Sequence, residues 1–222
     1  MLFQKNPDEY YEPYMSVLVQ LKQFDKAEKV IKSLYKQSDN NPMYLLDLGD
    51  LYLKENKEDD AQKQFNKTIK ELKPDRYNIT QIAQKFIQLK QLDFAEKTYL
   101  KGKDILKNKA AFNVEMAYLF FLRNDLTSMI NAYLDEAPFQ ENNLTAIENG
   151  LQKGLTDEKA KDALEKELLK RTQANKTQFV YQDLLVWLYM QRNDFDAAVL
   201  QAKSLDMLRN EDGDNVMRIA KT

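Results

Sequence analysis

Leu48-Gly49-Asp50-Leu51-Tyr52, then Asp60-Ala61-Gln62-Lys63-Gln64-Phe65, then Lys73-Pro74 hold two apolar patterns of helical spacing around the polar turn Glu55-Asn56-Lys57. Leu48, Gly49 and Tyr52 fall on one face of a first helix, and Ala61 and Phe65 on one face of a second, because residues three and four apart stack along a helix. The pattern recurs. Strings like Lys57-Glu58-Asp59-Asp60-Ala61 are found at Gln23-Phe24-Asp25-Lys26-Ala27, Gln91-Leu92-Asp93-Phe94-Ala95 and Asp194-Phe195-Asp196-Ala197-Ala198. Ala27, Ala61 and Ala95 are 34 residues apart; the same step reaches Met129 and Ala163, and Ala198 lies 35 beyond Ala163. Six units therefore share one phase, the fourth and fifth in degenerate form.

Twelve residues before these positions stands a first-helix marker: an apolar residue, a small or medium one, and an aromatic three further on. It reads Ile82-Ala83 with Phe86, Met116-Ala117 with Phe120, and Leu185-Val186 with Tyr189. Four residues after them come Ile31, Phe65, Tyr99 and Tyr133, the stripe of the second helix. Each unit is a helix, a short turn and a second helix.

Composition agrees. Of 222 residues, 43% are hydrophobic and 31% charged, enough apolar content for a core. Five Gly and five Pro are too few for the frequent turns of a β-sandwich or barrel. With no Cys and no His, the chain offers no disulfide, no thiolate and no imidazole base or ligand. Its 33 basic and 35 acidic side chains leave a net charge of −2 and no pull toward nucleic acid. No apolar run approaches the ~18–20 residues of a membrane span. The first residues do not read as a signal peptide. The compartment stays open, exported (periplasmic) and cytoplasmic both fitting.

A 34-residue period carrying Leu-Gly-x-x-Tyr, Ala-x-x-x-Phe and then Pro resembles the tetratricopeptide repeat family. The second unit is most similar, with Leu48-Gly49, Tyr52, Ala61, Phe65 and Pro74. The resemblance covers nearly the whole chain and implies an all-α, right-handed superhelical solenoid of antiparallel helix pairs, about six and a half repeats. As one domain over 1–222, the repeats run 8–41, 42–75, 76–109, 110–141 and 142–176 (both degenerate), 177–211 and a partial 212–222. Asn41-Pro42 reads as a capped helix start, and Pro138 as the close of a second helix.

Departures are expected at named places. Pro13 lies inside the first helix, which either starts late or bends there. Met129 occupies a tight-packing position and implies a wider helix crossing. Gly150 and Gly154 predict shortened or irregular helices around 140–156. Leu2 to Pro7 resemble the last turn of a preceding second helix, and Val216, Ile219 and Ala220 the first-helix marker of a seventh unit, so the chain reads as a fragment of a larger repeat protein.

Candidates for chemistry are weak. The acidic stretch Glu211-Asp212-Gly213-Asp214 would place the first ligand of a calcium loop at Leu208, which cannot coordinate; it reads as an inter-repeat turn. Glu165/Glu167 and Asp157/Glu158 sit among lysines and read as solvated helix faces. No enzyme, metal or cofactor is expected.

The resemblance implies that first helices line a concave groove for peptides. By helical phase its residues are Glu12 and Ser16, then Leu46, Asp50 and Leu53, then Thr80, Gln84 and Ile87. Val114, Tyr118, Phe121 and Leu122 follow, then Glu148 and Gln152, then Asp183, Trp187 and Met190. The family's carboxylate clamp of Asn and basic residues is absent: its positions hold Glu12, Ser16, Asp47, Tyr77 and Gln81. The expected ligand is a protein or peptide segment that is apolar rather than carboxylate-terminal, seated on Leu46, Leu53, Ile87, Val114, Tyr118, Phe121 and Leu122. Cover of that strip within the chain, or self-association through end repeats, stays open beside it. Trp187 reads either as core or as groove wall.

Overall fold

The computed structural model of the chain describes residues 7–220. Among them are thirteen α-helices and no strand, divided between two compact units. The first, Met1–Ala111, holds α1 (Pro7–Gln20), α2 (Phe24–Gln37), α3 (Pro42–Lys54), α4 (Glu58–Lys70), α5 (Arg76–Gln88) and α6 (Leu92–Ile105). The second, Phe112–Thr222, holds α7 (Asn113–Leu122), α8 (Leu126–Glu136), α9 (Thr145–Gly154), α10 (Glu158–Ala174), α11 (Val180–Gln191), α12 (Phe195–Arg209) and α13 (Asp214–Ala220). Neighbours in sequence pack as pairs: α3 on α4, α5 on α6, α7 on α8 and α11 on α12.

Local chemistry sets the joints. Asn41 Oδ1 accepts the Met43 N–H at 3.0 Å, with Pro42 in the first turn where no amide bond is lost. Asp75, Asp125, Asp157 and Asp194 cap α5, α8, α10 and α12 in the same way. Each first helix turns into its second through one left-handed residue: Lys22, Asn56, Lys90, Asn124 and Asn193, with φ between 53° and 59°. Asn takes this conformation readily, whereas Lys carries a cost of about 1–2 kcal/mol. The fifth unit has no such residue. There α9 stops at Gly154, and an extended Asp157 starts α10.

The core follows the repeat phase. Ala27, Ala61, Ala95 and Ala198 are fully buried, as are Ile31, Phe65 and Tyr99. Gly49 is the contact point of α3 with α4, where the Phe65 ring occupies the place of a side chain. Phe65, Phe86 and Phe94 join α4, α5 and α6, with ring centroids 5.2–5.5 Å apart.

Four expectations are refined. First, α1 runs through Pro13 as one helix. Second, Ala163 is exposed, and Ala160, Leu164 and Leu168 form the buried stripe of α10. α10 opens at Glu158, two residues short of the 34-residue step from Leu126 at the start of α8. Third, the bulk of Met129 is taken up at Gly154, whose absent side chain leaves room for the thioether. Gly150 likewise leaves room for the Tyr133 ring. Fourth, α9 is short, at 10 residues, and follows a 3-10 turn at Ala137–Phe139 that contains Pro138. Pro7 opens α1, whereas Leu2 to Asn6 lie outside the described residues. The acidic stretch after Asn210 is the turn between α12 and α13. There the buried Asp206 carboxylate accepts the Asn215 N–H at 2.9 Å and its side-chain amide at 2.7 Å.

Candidate partner-binding faces

In the first unit, α1, α3 and α5 border a cleft of about 310 Å³. Glu12, Ser16 and Asp50 line it. Tyr11, Asp47 and Lys85 line it as well and lie outside the expected set. These three form one polar network. The Tyr11 hydroxyl donates to Asp47 Oδ2 at 2.7 Å, and the Lys85 ammonium binds Asp47 Oδ1. Lys85 also approaches Glu12 at 3.7 Å, and Lys54 pairs with Asp50 at 2.7 Å.

Burial and the Asp47 carboxylate both push the Tyr11 phenol far above its ordinary value. Burial pulls the Lys85 ammonium down, but the Asp47 charge and hydrogen bond, helped by Glu12, hold it above its usual range. Every charge in this cleft is thus committed to a neighbour.

Leu46 is a correction. It is 0% exposed, packed inside α3, and cannot meet a partner. It follows Leu45 and precedes Asp47 and Leu48 in a run that is buried on most of its circumference, so an amphipathic phase does not locate its outer face. Leu53 and Ile87 are half-buried, and Gln84 is exposed.

In the second unit, α7 carries Val114, Tyr118, Phe121 and Leu122 on its surface, with Tyr118 46% exposed. The Tyr118 and Phe121 rings stack at 6.4 Å and 25°. Their neighbours on the same helix, Met116, Ala117 and Leu119, are buried. Phe121 also borders a cleft of about 340 Å³ that contains Leu126, Met129 and Gly154.

A larger cleft, about 510 Å³, lies where α9, α11 and α12 meet. It brings together Glu148, Asp183, Trp187 and Met190, all on the predicted inner face, and adds Leu144 and Arg209. Arg209 makes a bidentate pair with Asp183, at 3.2 and 2.6 Å, and its guanidinium lies 5.5 Å from the Phe179 ring centroid. Trp187 is half-buried: its body packs on the core of the unit while it borders the cleft.

The carboxylates elsewhere hold the scaffold. Glu165 accepts from Tyr189 at 2.7 Å and pairs with Arg192; Glu167 pairs with Arg171, which also reaches Asp135 at 2.7 Å. Asp157 caps α10, and Glu158 pairs with Lys161. Among the described residues no helix is long and apolar enough to cross a membrane.

No family model and no curated protein matches the chain. Solved structures with a similar course exist. The crystal structure of the APC/C hetero-tetramer Cut9-Hcn1 is 12% identical, covers 98% of this chain and 44% of its own, and has a TM-score of 0.36. The C-terminal part of a TPR repeat-containing protein from Cytophaga hutchinsonii is 13% identical, with 92% and 97% covered and a TM-score of 0.32. The chain thus spans less than half the length of the first of these. The fold assignment rests on the paired helices, their buried alanines and the recurring left-handed turn: the chain is an array of tetratricopeptide-like helix pairs.

Proposed function

We propose that this chain is a non-catalytic protein-interaction scaffold, and that its second unit presents the contact surface for an apolar peptide or helix. The observation that carries this reading is the α7 ridge. Val114, Tyr118, Phe121 and Leu122 stand exposed side by side on a helix whose Met116, Ala117 and Leu119 are buried. Contiguous exposed apolar side chains mark interaction sites, and two stacked rings offer a large contact area at small entropic cost. An amphipathic helix laid on such a ridge would anchor through residues one turn apart. Against catalysis stands the use of the charged side chains: those of the first cleft are paired with one another, and Glu165 and Glu167 of α10 pair with Arg192 and Arg171.

The test is capture from lysate of the native source by the whole chain and by Tyr118→Glu/Phe121→Glu, after circular dichroism shows equal helix content. Partners held by the parent and lost by the variant support the ridge. Identical partners on both would remove it.

A second reading is favoured by a different surface. Leu200, Met207, Leu208 and Met217 on α12 and α13 are all exposed, which fits self-association or packing against a further repeat. Light scattering across a concentration series separates the two, since association of copies grows with concentration.

A further inference from the structure

We infer that the segment seated on the α7 ridge is acidic as well as apolar: it lays an apolar anchor in the cleft beside Phe121 and sets side-chain carboxylates against Lys153 and Lys159. The inference rests on the scaffold reading and names the chemistry of the partner at that same ridge. Phe121 belongs to both surfaces. It stacks on Tyr118 along the ridge, and it lines the cleft that residues of α8, α9 and α10 complete. Leu126 and the buried Met129 extend the apolar lining of that cleft. Ridge and cleft thus make one continuous apolar track through Phe121.

The rim of the cleft is basic. Lys153 stands in the last turn of α9 and Lys159 in the first turn of α10, both exposed. Among the described residues neither ammonium has a hydrogen-bond or ion-pair partner. The acidic groups around Lys159 in sequence are spent elsewhere. Asp157 accepts the Ala160 N–H at 2.8 Å, Glu158 pairs with Lys161, and Asp162 pairs with Arg192. The apolar cleft is therefore flanked by two cations, while its lining carboxylate, Asp157, serves as a helix cap. Acidic side chains on the partner supply the charge that these lysines lack. Complementary charges at the edge of an apolar contact set partner choice more than affinity. The chain as a whole carries −2, so its overall field favours a basic partner, and a preference for an acidic one would be the mark of this rim.

The probes are three labelled peptides, acetylated and amidated, that share a Leu/Phe stripe at helical spacing and carry Glu, Gln or Lys on either side of it. Binding to the whole protein is read by anisotropy. At low salt the Glu peptide should bind about threefold to tenfold more tightly than the Gln peptide, the worth of two exposed ion pairs, and the Lys peptide should bind most weakly. High salt should erase the order. Lys153→Gln/Lys159→Gln should level the Glu and Gln peptides, and Lys153→Glu/Lys159→Glu should put the Lys peptide first. Both positions are exposed, and circular dichroism checks that helix content is kept. No binding by any peptide, equal binding by all three, or an order unchanged in the lysine variants overturns the inference. Tyr118→Ala/Phe121→Ala tests the ridge itself and should weaken all three peptides alike. If it does so while the lysine variants change nothing, the ridge reading stands and the acidic partner falls. If it binds all three as the parent does, the ridge reading falls and takes the inference with it.

Discussion

A Cβ on Gly49 would lie 2.3 Å from Cε1 of Phe65 and 2.5 Å from its Cδ1. The ring cannot swing aside, because Phe86 and Phe94 pack against it at 5.2 Å. Gly49→Ala therefore sets an overpacking cost of about 1–3 kcal/mol against a helix-propensity gain of about 1 kcal/mol. The expected outcome is a net loss of up to about 2 kcal/mol. A lower urea midpoint with an unchanged slope would show it. Gly49→Ala/Phe65→Leu should recover part of the loss.

Met129 and Gly154 make the same bargain with a softer partner. A methyl on Gly154 would meet the Met129 Cε at 2.4 Å, but that atom ends a flexible side chain. Gly154→Ala should therefore cost less than Gly49→Ala. Met129→Ala should cost about 2–5 kcal/mol as a cavity. The double variant should be more stable than the two losses added, by at least about 0.5 kcal/mol, because the new methyl enters the vacated space. Simple additivity in urea melts would show that the two residues do not share that space.

Most of the architecture is legible in the sequence, because it lies in one phase. The buried alanines and the residues four beyond them need only the 34-residue step and helical spacing. What the step misses has physical causes. The left-handed turn at Lys22, Asn56, Lys90, Asn124 and Asn193 keeps the period in conformation while the residue type alternates, so composition hides it. Ala163 loses its place because α10 opens at Glu158, two residues short of the 34-residue step from Leu126. The network of Tyr11, Asp47 and Lys85 joins residues 36 and 38 apart, and a search for equal phases cannot pair them. Of the expected contact residues, those on α7 are exposed and Trp187 borders a cleft, while Leu46 is core.

That network predicts an alkaline limit. Burial and Asp47 raise the Tyr11 phenol above its ordinary value of 10.0; burial lowers Lys85, but Asp47 together with Glu12 and Asp50 raises it above 10.5. Both groups are held in their protonated forms by the fold. Their contribution is complete below pH 10 and is lost as pH rises, since the unfolded chain releases these protons first. Removing the phenol by Tyr11→Phe should cost about 1.5–3 kcal/mol at neutral pH, the range for a hydrogen bond to a charged group. It should also flatten the fall of stability above pH 10 by as much as one proton, about 1.4 kcal/mol per pH unit. Parallel stability curves for parent and variant between pH 9 and 11 would deny the phenol this role.

Leu46 and Tyr118 separate core from surface within the set that helical phase selects. Leu46 is 0% exposed between α3 and its neighbours, whereas Tyr118 is 46% exposed on α7. Leu46→Ala should lower stability by about 2–5 kcal/mol, through lost burial and a residual cavity. Tyr118→Ala should change it by no more than about 0.5 kcal/mol, since its ring is half exposed and stacks on Phe121, itself exposed. Binding should show the opposite order. At a temperature where both variants are folded, Leu46→Ala should retain the partners of the parent chain, and Tyr118→Ala should lose those seated on the ridge. A Tyr118→Ala variant as unstable as Leu46→Ala would mean that the ring is a structural contact, and the ridge would then have no claim as a docking surface.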